Sequence, residues 1–403
     1  MTDTDRLLLD VLAAAVHGAD YTGPIDADAA PALFAAAELH GVLPLTAEAL
    51  YRRPELAGSP AMAQARSNAV EAVMRQLRQD NELLVLIERL RGRGFDPLVV
   101  KGLACRAVYP KPHLRPSTDE DILVPSERFA ACAALLPSLG LTADFPDADL
   151  SAVHETSFHK PDSPLYIELH GSLFPPDAGA FAGYDAFFGG VFDSAGTITV
   201  QGLPLGTPAP TEHMLYLILH ACKHFVYSGF GIRQVCDIAL YAEAYGAVID
   251  WRRVTAACDG VRAGTFAAAV FGVARQYLAI DPPALPAAWR DSGVDILPLL
   301  DDILTGGLYG TADESRLHSA SITLTAAADR APTLRAALFP SARSLETRYP
   351  VLQKHPVLLP AVWVYRAARY ALAPHARRRA AESVRIGRER VDLLRLYQIR
   401  QEM

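Results

Sequence analysis

Two aspartates two positions apart, Asp119 and Asp121, stand in the short run Asp-Glu-Asp-Ile-Leu-Val at 119–124. The run reads as a β-strand. Side chains alternate faces along a strand, so both carboxylates project the same way, their bases roughly 6–7 Å apart. Like charges on one face repel, and a divalent cation relieves them: Mg²⁺ takes hard oxygen ligands, usually one or two carboxylates plus substrate phosphates. Glu168, a lone acid between Ile167 and Leu169, lies in a second strand candidate. If the two strands are neighbours, Asp119, Asp121 and Glu168 form a three-carboxylate cluster able to hold two metals for in-line phosphoryl transfer. The competing reading makes 119–121 a surface turn and Glu168 the solvated side of an edge strand. Glu120, between the aspartates, puts a charge where an apolar residue is expected.

Lys101-Gly102 closes the preceding strand and opens a helix-like segment. A glycine there lets a phosphate approach the backbone, and the free N–H groups of a helix start favour an anion. Lys101 could reach a triphosphate as a point charge. The plainer reading of the dipeptide is a turn. Arg115, four residues before Asp119, is either a phosphate partner or an ordinary loop arginine. His220 and His224 are four apart on a predicted helix and share a face. With Lys223 adjacent and no acidic ligand in register, packing or phosphate contact fits them better than zinc. His154 and His159 lack the helical metalloprotease spacing. Arg233 and Asp237, also four apart, form either a helix-surface ion pair or part of a substrate-facing set.

These side chains need a scaffold. The first ninety-odd residues carry helical periodicity at Leu7–Val16, Ala29–His40 and Ala61–Arg93; in the last, Val70, Val73, Met74, Leu77, Leu84 and Ile87 recur at helical steps until Gly92 and Gly94. From Phe95 the texture changes to short β-branched pieces at 97–100, 119–124, 155–160 and 165–170. Helical pieces at 104–109 and 126–136 interrupt them, an order that indicates a mixed sheet with helices packed on it. Helical spacing returns near Gly206 and persists, with Pro breaks, to the end. The expected fold is therefore α+β, with a helical region at 1–94, a sheet-bearing unit at 95–205 and a mostly helical region at 206–403.

The whole chain limits what this scaffold serves. Its 403 residues are 51% hydrophobic and 21% charged, ample for a large core. Lys plus Arg number 38 and Asp plus Glu 45, a net charge of −7 that argues against electrostatic binding of long nucleic acid. Five cysteines without a CxxC pair disfavour a zinc ribbon or disulfide framework. The acidic start and the lack of an 18-residue apolar run suit a cytoplasmic protein with no membrane partner. The segment after Pro374 holds eight Arg against four acids. It suits a phosphate-rich partner such as tRNA, or else a solvated amphipathic helix, since Val384, Val391, Leu394 and Ile399 interleave with the arginines.

Taken together, the run VVKGLACRAVYPKPHLRPSTDEDILVP (99–125), the strand IELHGSL (167–173), the helical block LHACKHFVYSGFGIRQVCDIALYAE (219–243) and RYPVLQKHPVLLPAVWVYRAARYAL (348–372) resemble the uncharacterised nucleotidyltransferase family of the DNA polymerase β superfamily. The resemblance implies a minimal nucleotidyltransferase palm flanked by helices. Asp119 and Asp121 match the metal-binding pair, Glu168 the third catalytic carboxylate, and Lys101 and Gly102 the phosphate corner. It places Arg115, Lys223 and His224 on the nucleotide side, and leaves His170, Arg233 and Asp237 as substrate-facing or structural. The implied activity is transfer of a nucleoside monophosphate from an NTP to a hydroxyl of a small molecule, peptide or protein. Mg²⁺ is the metal, with Mn²⁺ as its substitute, and pyrophosphate leaves. The rival expectations are a nucleotide-binding scaffold without turnover and a tRNA-directed toxin. The chain departs from the pattern at Glu120, at Leu103 where the superfamily's corner carries serine, and at Gly171 where the family carries tryptophan.

Overall fold

The computed structural model describes residues 1–175, 181, 183–227, 229–307, 345, 349, 351–372 and 376–399. Apolar helical spacing near the N terminus forms α1 (Asp3–Val16), α2 (Ala30–Leu39) and α3 (Leu43–Leu50). The long helix α4 (Pro60–Arg91) starts at Ser59, whose side chain accepts the Met62 N–H, with Pro60 in the first turn where no N–H is missed. Gly92 ends it.

Next come β1 (Leu98–Val100), α5 (Gly102–Arg106), β2 (Glu120–Leu123), α6 (Ser126–Leu135), β3 (Thr142–Ala143), β4 (Glu155–His159) and β5 (Tyr166–His170). A hairpin, β6 (Gly196–Val200) and β7 (Leu203–Thr207), follows. Among the described residues these strands form a seven-stranded sheet in the order β3-β4-β5-β2-β1-β7-β6. It is mixed: β1–β2, β3–β4, β4–β5 and β6–β7 run antiparallel, whereas β2–β5 and β1–β7 run parallel. The expected α+β class and mixed sheet are what the chain adopts.

Helices then run α7 (Pro210–Tyr227), α8 (Ile232–Tyr245), α9 (Trp251–Gly260), α10 (Gly264–Tyr277), α11 (Ala287–Arg290), α12 (Leu297–Gly306), α13 (Val351–Lys354), α14 (Leu359–Leu372) and α15 (Ala376–Leu396). No helix among the described residues is long and apolar enough to cross a membrane.

The sheet separates two apolar cores, and the two-residue period of its strands sorts side chains between them. Val99, Ile122, Ile167 and Leu169 pack with Leu83 and Ile87 of α4 and with Phe129 and Cys132 of α6. Leu98, Val100 and Leu123 point the other way, into a larger core with α1–α3, α7, α8 and α10. The N-terminal and C-terminal helices thus share one core against one sheet face.

Three expectations need correction. Of the apolar positions expected to face inward on α4, Leu84 and Ile87 are buried, but Val70 and Met74 are 62% exposed and Leu77 39%. The buried positions in that stretch are Gln76, Gln79 and Asp80, because α4 meets a buried ionic cluster below the sheet rather than an apolar one. The β6–β7 hairpin also extends the sheet beyond the strands read from the sequence. In the C-terminal segment α15 is helical, and Arg390 is buried against Asp302 at 2.9 Å rather than solvated. The expectations for Arg348, Pro350, Arg400 and the side chains of Arg377, Arg378 and Arg379 lie outside the described residues.

Candidate active site

β2 and β5 are adjacent and parallel, with Asp121 directly beside Glu168 and Leu123 beside His170. Alternation puts Asp121, Glu168 and His170 on the face toward α7 and α8. Asp119 precedes β2 by one residue and lines the same cleft. One ligand atom from each of Asp121, Glu168 and His170 falls within 4.8 Å of the others. Asp119 is outside that tight trio.

Lys101 sits over these acids at the corner between β1 and α5. Its backbone is held at φ 50°, a region costly for a residue with a Cβ. The Lys101 N–H donates to His213 Nε2 at 3.1 Å, and its Nζ lies 2.9 Å from Asp121 Oδ1 and 3.1 Å from His220 Nε2. His170 Nε2 lies 3.0 Å from the same Asp121 oxygen, and its Nδ1 3.4 Å from Glu155.

The charges follow from this geometry. Burial would raise Asp121, but the Lys101 ammonium and the His170 hydrogen bond outweigh it and hold it at about 2. Burial and the Asp121 charge push Glu168 up to about 7, and the same two causes raise Asp119. Burial disfavours protonated His170, yet its hydrogen bond to Asp121 raises it. Burial drives His213 and His224 down to about 3 and His220 well below its ordinary value. His220 is therefore a neutral acceptor for the Lys101 ammonium.

Glu120 faces away from the cleft. It is 1% exposed, and its carboxylate accepts the Leu103 N–H at 3.1 Å, Ser117 Oγ at 2.7 Å and Arg106 Nη2 at 2.6 Å. Arg106 also bonds Asp80 at 2.7 Å. The charge between the aspartates is thus an anchor on the opposite sheet face. It holds the Lys101-Gly102 corner through the Leu103 N–H. Gly102 is required by that approach, since a Cβ there would lie 2.3 Å from Glu120 Oε2.

The remaining candidates divide between two lobes of the cleft. Lys223 and His224 line a cavity of about 260 Å³ together with Glu155, Glu168 and His170. Arg115, Arg233 and Asp237 line a smaller one of about 30 Å³ on the α8 side; Lys101 and Asp119 border both, and Gly102 the smaller. Asp237 pairs not with Arg233 but with Arg115, whose Nε and Nη2 reach its two oxygens at 3.0 and 2.6 Å. Tyr109 OH adds a bond of 2.7 Å. Arg115 lowers Asp237 despite its burial. Arg233 Nη1 instead donates to the Pro116 carbonyl at 2.6 Å.

Sequence reasoning missed Glu155 and His213. Glu155 is paired across β4–β5 with His170, a placement that the alternation of Glu155, Ser157 and His159 against buried Phe158 signals. Nothing local marks His213, whose partner lies 112 residues away.

Chain comparison decides the family. Residues 26–279 match the model of a family described as an uncharacterised nucleotidyltransferase. The chain belongs to that family. Membership makes this nucleotidyltransferase a transferase enzyme acting on nucleotides. Among solved structures it is similar to an antigenic nucleotidyltransferase-like protein from Paracoccidioides brasiliensis, at 11% identity and a TM-score of 0.30, over 45% of this chain and 86% of that one. No curated protein matches it.

Proposed function

We propose that the protein is a metal-dependent nucleotidyltransferase that moves a nucleoside monophosphate from an NTP to an acceptor hydroxyl of a small molecule, peptide or protein. The observation that carries this reading is the in-register pairing of Asp121 with Glu168 on parallel strands, on the face where Asp119 also lines the cleft. The residues fit a divalent cation. Three carboxylates supply hard oxygens, and burial, with the Asp121 charge beside it, raises Glu168 and Asp119, a cost that a cation relieves. Asp119, Asp121 and Glu168 would hold Mg²⁺, or Mn²⁺ in its place. When bound, the metal would polarise the phosphate oxygens and neutralise charge on the leaving pyrophosphate.

The chain's own groups do the rest. The acceptor oxygen forms its bond to the α-phosphorus as the bond from that phosphorus to the bridging oxygen breaks, and pyrophosphate leaves with the electron pair. Glu168 lines the larger lobe and is positioned to receive the hydroxyl proton there. Lys101, which lines both lobes of the cleft, would supply positive charge to the triphosphate. The sheet-bearing unit 95–205 carries the acids, and the helical region after 206 supplies the opposite wall.

One observation favours a second reading, a nucleotide-binding protein without turnover. The Lys101 ammonium already neutralises Asp121. Incubation with each radiolabelled NTP, Mg²⁺ and cell extract separates the two. Label transfer with pyrophosphate release, lost in Asp119→Ala/Asp121→Ala, supports the transferase. Nucleotide binding without release under every condition refutes it.

A further inference from the structure

The smaller lobe holds donors without acceptors. Arg115 Nη1, Arg233 Nε and Gln234 Nε2 have no hydrogen-bond partner among the described residues, and their side chains all line this cavity. The three residues are 4%, 3% and 9% exposed. A buried N–H left unmatched is costly, more so when charged, so three around one small cavity require explanation. Arg233 and Gln234 also occupy the first turn of α8, a 14-residue helix whose N-terminal dipole favours negative charge. Gln234 is held in place by its other end, where Oε1 accepts the Gly231 N–H at 2.7 Å.

We propose that this cavity is an oxyanion subsite for the pyrophosphate half of the NTP. The identity of the anion rests on the nucleotidyl-transfer reading. The unmatched donors come from three separate side chains and border Lys101, which lies between the lobes. Three acids line the cavity too, and they do not compete for the anion. Both Asp237 oxygens are taken by Arg115 and Tyr109, and Asp119 and Asp121 are the residues that would hold the cation, which would offset their charge toward the anion. Its volume of about 30 Å³ leaves room for roughly two oxygen-sized atoms, so it takes terminal oxygens of one phosphoryl group while the rest of the pyrophosphate lies outside it along Lys101, and it is too small for a nucleobase. The sugar and base are therefore left to the lobe of about 260 Å³. The subsite grips what leaves the reaction rather than what is transferred, so it discriminates NTP from NMP.

Gln234→Glu tests this with little change of shape. The carboxylate keeps the acceptor for Gly231 N–H and suits a helix N terminus, but it replaces the unmatched donor with an anion. Titration calorimetry of inorganic pyrophosphate and of AMP gives the readout. Pyrophosphate should bind the unaltered protein, and Gln234→Glu should weaken it by about tenfold or more with AMP affinity unchanged. Arg233→Lys keeps the charge but removes Nε; it should also weaken pyrophosphate selectively and serves if Gln234→Glu fails to fold. Unchanged pyrophosphate affinity in a folded variant, equal losses for AMP and pyrophosphate, or no pyrophosphate binding by the unaltered protein overturns the subsite. With the titrations run without divalent cation, so that binding does not depend on the metal, Asp119→Asn/Asp121→Asn separates this from the transfer reading: it should lose transfer in the Mg²⁺ assay and keep metal-free pyrophosphate binding. Persistence of transfer there would sink the metal-dependent reaction alone.

Discussion

Removing the Glu120 carboxylate should cost more stability than removing any of the cleft acids Asp119, Asp121 or Glu168, and the structure gives the size. Glu120→Ala leaves the Leu103 N–H and Ser117 Oγ without their acceptor and leaves Arg106, 2% exposed, with Asp80 as its remaining carboxylate. Breaking a buried ion pair by deleting one partner costs about 3–5 kcal/mol, chiefly because the surviving charge stays buried. Domains are stable by only about 5–15 kcal/mol, so the loss is a large share of the whole. Glu120→Gln keeps an oxygen for Arg106 but turns an amide toward either Leu103 N–H or the guanidinium; it should lose about 1–3 kcal/mol. Urea denaturation followed by circular dichroism reads both as falls in midpoint at constant slope. The order Ala worse than Gln is part of the expectation. A Glu120→Ala midpoint within about 1 kcal/mol of the parent would refute the anchor, and with it the explanation of why a third acid interrupts the aspartate pair.

Two further perturbations follow from the same corner. Gly102→Ala drives a Cβ to 2.3 Å from Glu120 Oε2, so it should destabilise by about 1–3 kcal/mol; a neutral effect in the same denaturation assay contradicts the close approach. His213 is fully buried, its pKa lowered to about 3 from an unfolded value of about 6.5. Between these values the unfolded chain binds the extra proton, so its contribution to stability is complete above about pH 6.5 and is lost as the pH falls toward 3. His213→Gln should therefore lose about 2 kcal/mol less than the parent on going from pH 7.5 to 5, measured by urea midpoints; parallel pH profiles would contradict it.

Much of the candidate site's layout was legible because strand alternation is a local rule. Glu168 and His170, two apart in β5, had to share a face once that segment was a strand, and Asp119, one residue before β2, lines the same cleft as Asp121. That Asp121 stands beside Glu168 was not legible, because register depends on pairing between segments 47 positions apart in sequence. The helix α4 shows the same limit. Its spacing was correct, but spacing does not say which face turns inward. Gln76, Gln79 and Asp80 are inside because Glu120 and Arg106 await them there, and those partners lie 26 to 44 residues away. The β6–β7 hairpin is a different kind of miss. Thr197 to Val200 alternates, and Gln201 and Gly202 both take positive φ, at 51° and 82°, the backbone that a two-residue hairpin turn demands. The alternation and Gly202 were in the sequence.

The two sides of the sheet explain how one short segment can carry three adjacent acids. Asp119 and Asp121 face a cleft where a lysine and a histidine partly neutralise them, and Glu120 faces an arginine sealed beneath α4. A single step along the strand moves a carboxylate from one environment to the other, so the three charges are not stacked against one another. The arrangement also joins stability to chemistry. The carboxylate that holds Arg106 accepts the N–H of Leu103, two residues beyond Lys101, and Lys101 keeps its strained backbone with its own N–H on His213 and its ammonium over Asp121. Glu120 and His213 therefore grip the lysine corner from opposite faces of the sheet. An acid that looks out of place between two cleft-facing aspartates is, in this fold, the reason the Lys101-Gly102 corner keeps its shape.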